Sequence, residues 1–124
     1  MILLPIPKKV EEKEGSLMLR MNTMIMMDQS CPQGARVYAG QLKEEISTWA
    51  GLKLDISRGV FRKGDILLKV DESLDQDHYS LKIDREGAFL TGGSLHALGY
   101  AVQTLRQIVR QKAGLLPWVS IEDE

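Results

Sequence analysis

The chain has 124 residues, of which 44% are apolar and 27% charged, and its formal net charge is −1. These values predict a single globular domain and give no electrostatic reason to expect a nucleic-acid or anionic membrane partner. One cysteine and two histidines exclude a disulfide framework and a cysteine-rich zinc site. No apolar run reaches membrane-spanning length, and Pro5 and Pro7 interrupt the apolar start, which lacks the features of a signal peptide. The lack of signal-peptide features slightly favours a cytoplasmic location, which otherwise stays open.

The first quarter of the chain predicts extended segments. Leu3–Lys8 should be extended because each of its two prolines disfavours helical backbone at the residue before it. The charged run Lys8–Glu14 predicts a solvated loop or turn. Leu17 and Leu19 alternate with Met18 and Arg20, which indicates a strand, and Thr23–Met27 predicts a second one.

A first helix is predicted over Ala35–Ala50, with Gly51 ending it. Its apolar residues share an arc of roughly 120°. The residues on that arc are Ala35, Tyr38, Ala39, Leu42, Ile46, Trp49 and Ala50. The opposite face mixes both signs of charge and is predicted to be solvated; its charged residues are Arg36, Lys43, Glu44 and Glu45.

The middle of the chain alternates in the manner of strands. Strands are predicted over Lys53–Ile56, Asp65–Val70, Tyr79–Asp84 and Ala88–Thr91, with a hairpin turn before the last of these. Val119–Glu122 predicts a final strand. With two helices, the order is β β α β β β β α β. This order predicts an α+β fold, a two-layer α/β sandwich in which both helices pack on one face of a mixed sheet.

The second helix lies between Gly92 and Gly114 and is the most informative segment. Ser94 is the predicted N-cap, and Gly114 is the predicted glycine after the last turn, which carries Arg110 and Lys112. Its apolar residues fall within an arc of roughly 160° and are predicted to face the core. They are Leu95, Ala97, Leu98, Ala101, Val102, Leu105, Ile108 and Val109.

The other face of this helix contains no acidic residue, and arginine is its only charged type. It carries His96, Gly99, Tyr100, Gln103, Thr104, Arg106, Gln107, Arg110 and Gln111. Depletion of charge is typical of the cores of protein interfaces, so we expect this helix to be covered on both sides. A merely polar solvated surface is the alternative. The predicted interface residues are His96, Tyr100, Gln103, Arg106, Gln107 and Arg110.

The sequence offers no recognisable catalytic or metal-binding arrangement. Cys31 has no histidine near it in sequence, and His78 and His96 lack metal-ligand spacing. The acidic run Asp71–Asp77 lacks the glycine that a calcium loop requires. We therefore predict no catalytic residue, no cofactor and no metal in this chain.

Three segments, in the same order, resemble the N-terminal non-catalytic domain of glycoside hydrolase family 20, the β-N-acetylhexosaminidases. They are LLPIPKKVEEKEGSLML, HYSLKIDREGAFLTGGSLHALGYAVQTLRQ and LPWVSIEDE. Their most specific parts are the Pro-x-Pro-Lys opening, Tyr79-Ser80-Leu81, and Gln103 to Gln107. The likeness extends over essentially the whole chain.

The resemblance implies an α/β sandwich that precedes a TIM barrel and packs against it. In that family the catalytic Asp-Glu pair lies on the barrel, and no position of this sequence corresponds to it. Residues 1–124 are therefore expected to form one accessory domain of a larger glycoside hydrolase, whose barrel begins just after a segment like Ile121-Glu122-Asp123. The expected partner of the second helix is this barrel, and self-association of the isolated chain stays open.

Other functions remain open at this stage. The same module precedes other carbohydrate-active catalytic domains, so the parent enzyme has an alternative. A self-sufficient carbohydrate- or protein-binding domain is a further reading, for which Trp118 is the only tryptophan near the expected junction. An independent small enzyme is the last reading, and hydrolysis of an aryl N-acetylglucosaminide by this chain would support it.

Overall fold

The computed structural model describes all 124 residues as two helices and one seven-stranded mixed sheet. The strands are β1 (Lys9–Met18), β2 (Met24–Met27), β3 (Asp55–Arg58), β4 (Ile66–Val70), β5 (Tyr79–Asp84), β6 (Gly87–Gly92) and β7 (Leu115–Asp123). The helices are α1 (Ala35–Ala50) and α2 (Leu95–Lys112). This confirms the predicted α+β fold class and the predicted element order.

The sheet runs β1-β7-β5-β6-β4-β2-β3. The β1–β7, β7–β5 and β5–β6 pairs are antiparallel, and the β6–β4, β4–β2 and β2–β3 pairs are parallel. Helix α1 links the parallel neighbours β2 and β3, whereas α2 carries the chain from β6 over β5 to β7. The two helices also pack against each other, so they form one layer on one face of the sheet.

The core lies between the helix layer and the sheet as one cluster of buried apolar side chains. Alternation explains the strand contribution: in β5, Tyr79, Leu81 and Ile83 are buried, and the residues between them are more exposed. The apolar arc predicted for α2 is buried from Ala97 to Val109. This packing leaves the opposite side of α2 free to face outward.

Several predicted boundaries are wrong. The final strand, predicted over Val119–Glu122, spans Leu115–Asp123. Residues Lys9–Glu14 belong to strand β1 and do not form a loop. They lie at the edge of the sheet with every side chain exposed, so the period-two signal that marks a half-buried strand is absent. The predicted strand Lys53–Ile56 lies at Asp55–Arg58. At the end of α2, Ala113 and not Gly114 takes the positive φ, at 54°.

The first helix also differs from its prediction in what it buries. Glu45, assigned to the solvated face, is only 8% exposed, whereas Trp49, assigned to the core arc, is 51% exposed. A hydrogen bond joins the Trp49 Nε1 to the Glu45 carboxylate, which also accepts from Arg106 and Arg110 of α2. The contact of Glu45 with α2, which a single-helix pattern does not contain, accounts for its burial.

The face of the sheet opposite the helices is partly covered by the loop between β3 and β4. In that loop Phe61 packs on Phe89 of β6, with ring centroids 4.8 Å apart. At the β1–β7 edge, the Trp118 ring lies over Gly15, where a Cβ atom would meet Trp118 Cε3 at 2.3 Å. Gly15 also has a φ of 130°, so both backbone and packing require glycine there.

Candidate docking surface on the second helix

Helix α2 begins at the predicted cap. The Ser94 hydroxyl accepts a hydrogen bond from the Ala97 backbone N–H at 3.1 Å and donates to the Gln76 carbonyl at 2.7 Å. This pair of bonds fixes the start of the helix against the preceding loop. The buried arc then fixes its rotation, so that His96, Tyr100 and Gln103 are exposed on the outer side.

Thr104 does not belong to this outer side, contrary to its assignment from the sequence. It is buried, and its hydroxyl donates to the Tyr100 carbonyl at 3.0 Å. Because a hydroxyl carries one proton, the Tyr79 hydroxyl is the donor in the 3.0 Å bond between Tyr79 and Thr104. Burial raises the pKa of Tyr79, which keeps this donor protonated at neutral pH.

The two arginines of the outer side share one carboxylate on the neighbouring helix. Arg106 Nε and Arg110 Nη2 both lie 2.9 Å from Glu45 Oε1, and Arg110 Nε lies 2.9 Å from Oε2. The hydrogen bond from Arg110, foremost, holds the pKa of Glu45 below its ordinary value, and that from Arg106 adds to it. Helix α2 has no acidic residue on its outer side, and Glu45 of α1 supplies the carboxylate that pairs with both arginines.

The N-terminal segment lies along α2 and is held by two glutamine side chains. Gln107 accepts from the Leu4 N–H and donates to the Leu4 carbonyl, both at 2.8 Å. Gln111 makes the same pair of bonds with Ile2. Leu3, between them, is buried, whereas Ile2 and Leu4 are 72% and 65% exposed. The segment thus adds apolar side chains beside the helix.

Sequence reasoning missed this segment as part of the site. The alternation of apolar residues at positions 2, 4 and 6 was a signal, because one side of an extended chain then carries Ile2, Leu4 and Ile6. In the structure all three are largely exposed, with Ile6 at 80%. Exposed apolar residues that lie together mark a contact site more often than isolated ones do.

All six predicted interface residues line two adjoining recesses. His96, Tyr100, Gln103 and Gln107 line a cavity of about 420 Å³, together with Leu4, Pro5, Asp123 and Glu124. Arg106 and Arg110 line a neighbouring recess of about 330 Å³, which shares Leu4, Gln103 and Gln107 with the first. We call these six residues together with Ile2, Leu4 and Ile6 the α2 surface.

Elsewhere in the chain, the displaced pKa values belong to carboxyl groups and one thiol. The three carboxyl groups with displaced pKa values, Asp28, Glu45 and Asp71, are all displaced downward, whereas a general acid needs a raised value. Cys31 is buried, its thiol donates to the Leu68 carbonyl at 3.1 Å, and burial raises its pKa. No three His, Cys, Asp or Glu residues cluster in a way that fits a metal ion.

Comparison with known proteins gives the family. The model of glycosyl hydrolase family 20, domain 2, matches residues 1–124. The chain belongs to this family. A β-hexosaminidase of Vibrio furnissii is 29% identical over 123 residues, which are 98% of this chain and 19% of that protein. The family 20 domain described here therefore spans about a fifth of the length of this relative.

Solved structures carry the same fold. The family 20 exo-β-N-acetylglucosaminidase of Vibrio harveyi, in complex with N-acetylglucosamine, matches with a TM-score of 0.77 at 25% identity, over 98% of this chain and 19% of that one. The family 20 β-N-acetylhexosaminidase of Streptomyces coelicolor A3(2) matches with a TM-score of 0.77 at 25% identity, over 94% of this chain and 25% of that one. Neither helix of the present chain has the length and hydropathy needed to cross a bilayer.

Proposed function

We propose that residues 1–124 form a non-catalytic accessory domain of a β-N-acetylhexosaminidase, which precedes and supports a TIM-barrel catalytic domain. Membership of family 20 and the names of the longer relatives support this role. On this proposal the isolated domain is a structural module.

The α2 surface is the proposed contact with the barrel. The single observation that carries this assignment is the continuity of three exposed apolar residues, Ile2, Leu4 and Ile6, with the outer side of α2. Beside them, the side chains of Arg106, Gln107, Arg110 and Gln111 are already hydrogen-bonded within the chain, so covering these four loses few bonds to water. Asp123 and Glu124 lie at the rim of the same recess, where the chain would continue into the barrel.

The arginine pairing favours burial of this surface. An unpaired arginine at an interface is costly to desolvate, and Arg106 and Arg110 already share the Glu45 carboxylate before any partner arrives. This carboxylate balances one of the two positive charges, so an acceptor group on the barrel opposite these side chains would complete the pairing. Tyr100, which is 48% exposed and packs edge-on against His96, is the proposed central contact.

Amide hydrogen exchange tests the contact. Exchange at Tyr100, Gln103 and Gln107 is compared between this chain and a longer polypeptide that includes the barrel. We expect slower exchange in the longer protein, together with unchanged exchange on the exposed side of α1 around Thr48. Equal protection of α2 in both proteins would contradict docking through this surface.

A matched pair of substitutions tests the same contact energetically. Tyr100→Glu places a charge at the proposed centre, whereas Thr48→Glu places the same charge on the exposed side of α1. In the longer protein Tyr100→Glu should lower the melting temperature more than Thr48→Glu, and in the isolated chain the two should have similar effects. Similar effects in both proteins would count against the contact.

Activity and association complete the test. The isolated chain should not hydrolyse an aryl N-acetylglucosaminide, and detectable hydrolysis that survives purification would contradict the accessory role. An isolated chain also exposes the α2 surface to a second copy. Sedimentation of the wild type and of Tyr100→Glu measures this, and a dimer that persists unchanged in Tyr100→Glu would place self-association elsewhere on the domain.

A further inference from the structure

A second recess lies at the other end of the sheet from the α2 surface. It has a volume of about 480 Å³ and is formed where β1, the β3–β4 loop, the β5–β6 turn and β7 come together. Strand β5 separates the two sites, because Tyr79 at its start lines the cavity on α2, whereas Arg85 just after its end lines this one. Six strand residues correspond to a separation of roughly 17–20 Å.

The charged side chains around this recess are mostly cationic. Arg20, Arg62, Lys63 and Arg85 line it, and Asp65 is the only acidic residue that does. Asp65 is committed elsewhere: its carboxylate, 2% exposed, accepts from Arg62 Nε at 3.2 Å and from the Met24 and Arg62 backbone N–H groups. Arg62 is neutralised by this contact, and Asp65 has no capacity left for the other cations.

Three positive side chains are left without an anionic partner. The charged groups of Arg20, Lys63 and Arg85 make no ion pair and no hydrogen bond; the one contact is between the Arg85 guanidinium and the Trp118 ring, 5.8 Å from its centroid. Each of the three is exposed. The protein as a whole has a net charge of −1, so this concentration of positive charge is a local feature and does not reflect the composition.

Trp118 adds a further unsatisfied donor beside the recess. Its Nε1 is the one buried side-chain nitrogen or oxygen without a hydrogen-bond partner in the structure. One side of its ring is covered by Gly15 and Arg85 lies over the ring, so the indole does not offer a free face for stacking on a neutral sugar. Trp118 and the three unpaired cations thus line the same recess.

We infer that this recess binds an oxyanion group, a phosphate or a sulfate, through Arg20, Lys63 and Arg85. Guanidinium and ammonium groups bind such oxygens by charge-assisted hydrogen bonds, and three of them match the charge and the several acceptor oxygens of one such group. The volume also admits a sugar that carries the group as an ester. The site is independent of the proposed barrel contact, because it lies beyond the opposite end of β5.

Calorimetric titration at low ionic strength tests the assignment. The probes are inorganic phosphate, inorganic sulfate, N-acetylglucosamine 6-phosphate, N-acetylglucosamine 6-sulfate and neutral N-acetylglucosamine. We expect saturable binding of the anions and none of the neutral sugar. Tighter binding of the esters than of the inorganic ions assigns the site to a sugar-borne group, and equal binding assigns it to the free ion.

Charge-neutralising variants with matched controls locate the site. Arg85→Gln and Lys63→Gln should each weaken anion binding by roughly three- to tenfold, since each removes one charge-assisted contact at an exposed site. Arg36→Gln and Lys53→Gln remove the same charges from exposed positions outside the recess and should leave the affinity unchanged. All four replace exposed side chains, and circular dichroism verifies that each variant is folded.

Three results would overturn the inference. They are the absence of saturable anion binding up to about 10 mM, equal weakening by the site and control variants, and binding of neutral N-acetylglucosamine that Arg85→Gln does not affect. Binding that needs a higher anion concentration than this is not distinguishable from non-specific attraction to exposed cations, which salt screens strongly.

Discussion

Glu45 on α1 and Arg110 on α2 are joined by two hydrogen bonds of 2.9 Å, one to each carboxylate oxygen. This bidentate pair connects the two helices at the edge of the core, since Glu45 is 8% exposed while the Arg110 side chain is half exposed. Arg106 binds the same carboxylate from one turn earlier on α2. These three hydrogen bonds hold the two helices together at this point and therefore help to define the shape of the α2 surface.

Glu45→Gln should destabilise the domain by about 1–2 kcal/mol. The substitution keeps the size of the side chain but leaves two arginines without a counter-charge, and solvent around Arg110 reduces the cost below that of a fully buried pair. Urea denaturation measures the change. Glu44→Gln, at the adjacent exposed position without an ion pair, is the control and should change stability by less than about 0.5 kcal/mol. Equal destabilisation by the two substitutions would mean that the ion pairs of Glu45 do not stabilise the domain.

The Glu45 carboxylate also makes the free energy of unfolding depend on pH. The pKa of Glu45 is lower in the folded chain than in the unfolded one, so its stabilising contribution is complete above the unfolded value of about 4.3. The contribution declines as the pH falls from there through the lower folded pKa. The difference in unfolding free energy between wild type and Glu45→Gln should therefore be constant above about pH 5 and shrink below pH 4. A difference that grows on acidification would contradict the assignment.

Gly15→Ala should destabilise the domain by about 2–3 kcal/mol. The new methyl group would meet the Trp118 ring, and the residue would have to keep a positive φ that alanine disfavours. Thermal unfolding measures the loss. Gly40→Ala is the control, because a Cβ at Gly40 meets nothing within 4 Å in the interior of α1. That variant should gain about 0.5–1 kcal/mol from helix propensity.

Ala113→Gly should stabilise the domain by about 0.5–1 kcal/mol. Ala113 ends α2 with a φ of 54° and a ψ of −126°, a conformation that costs an L-residue with a side chain more than it costs glycine. Part of the gain is offset because glycine loses more entropy on folding. Ala50→Gly, at the end of α1 where the following Gly51 already takes the left-handed conformation, should instead destabilise. Loss of stability in both variants would mean that Ala113 is not strained.

Segments whose burial follows from their own periodicity were predictable from the sequence. The bounds of α1 and of β5 match the predicted ranges Ala35–Ala50 and Tyr79–Asp84, because a regular apolar face and a terminal glycine or turn define each one. The Ser94 cap also follows from local chemistry, and the structure confirms it. The fold class follows from the order of such elements.

Features that depend on a distant partner were not predictable in this way. Strand β1 is paired with β7 about a hundred residues later, and its exposed Lys9–Glu14 segment carries no periodic signal. Glu45 is buried only because two arginines on α2 compensate its charge. The residues of α2 that belong to the α2 surface could be predicted from the pattern of that helix. The position of Ile2–Leu4 beside them could not, because it depends on hydrogen bonds with Gln107 and Gln111. The barrel contact itself remains a prediction.

The pairing of the first strand with the last has a mechanical consequence. Lys9 lies opposite Glu122 in an antiparallel ladder, so the beginning of β1 and the end of β7 meet at the same point of the sheet edge. Tension applied to the two ends of the chain acts across the hydrogen bonds of this ladder, which then open one pair after another from that point. We expect the domain to yield at low force by peeling away β1, before the load reaches the helix-covered strands.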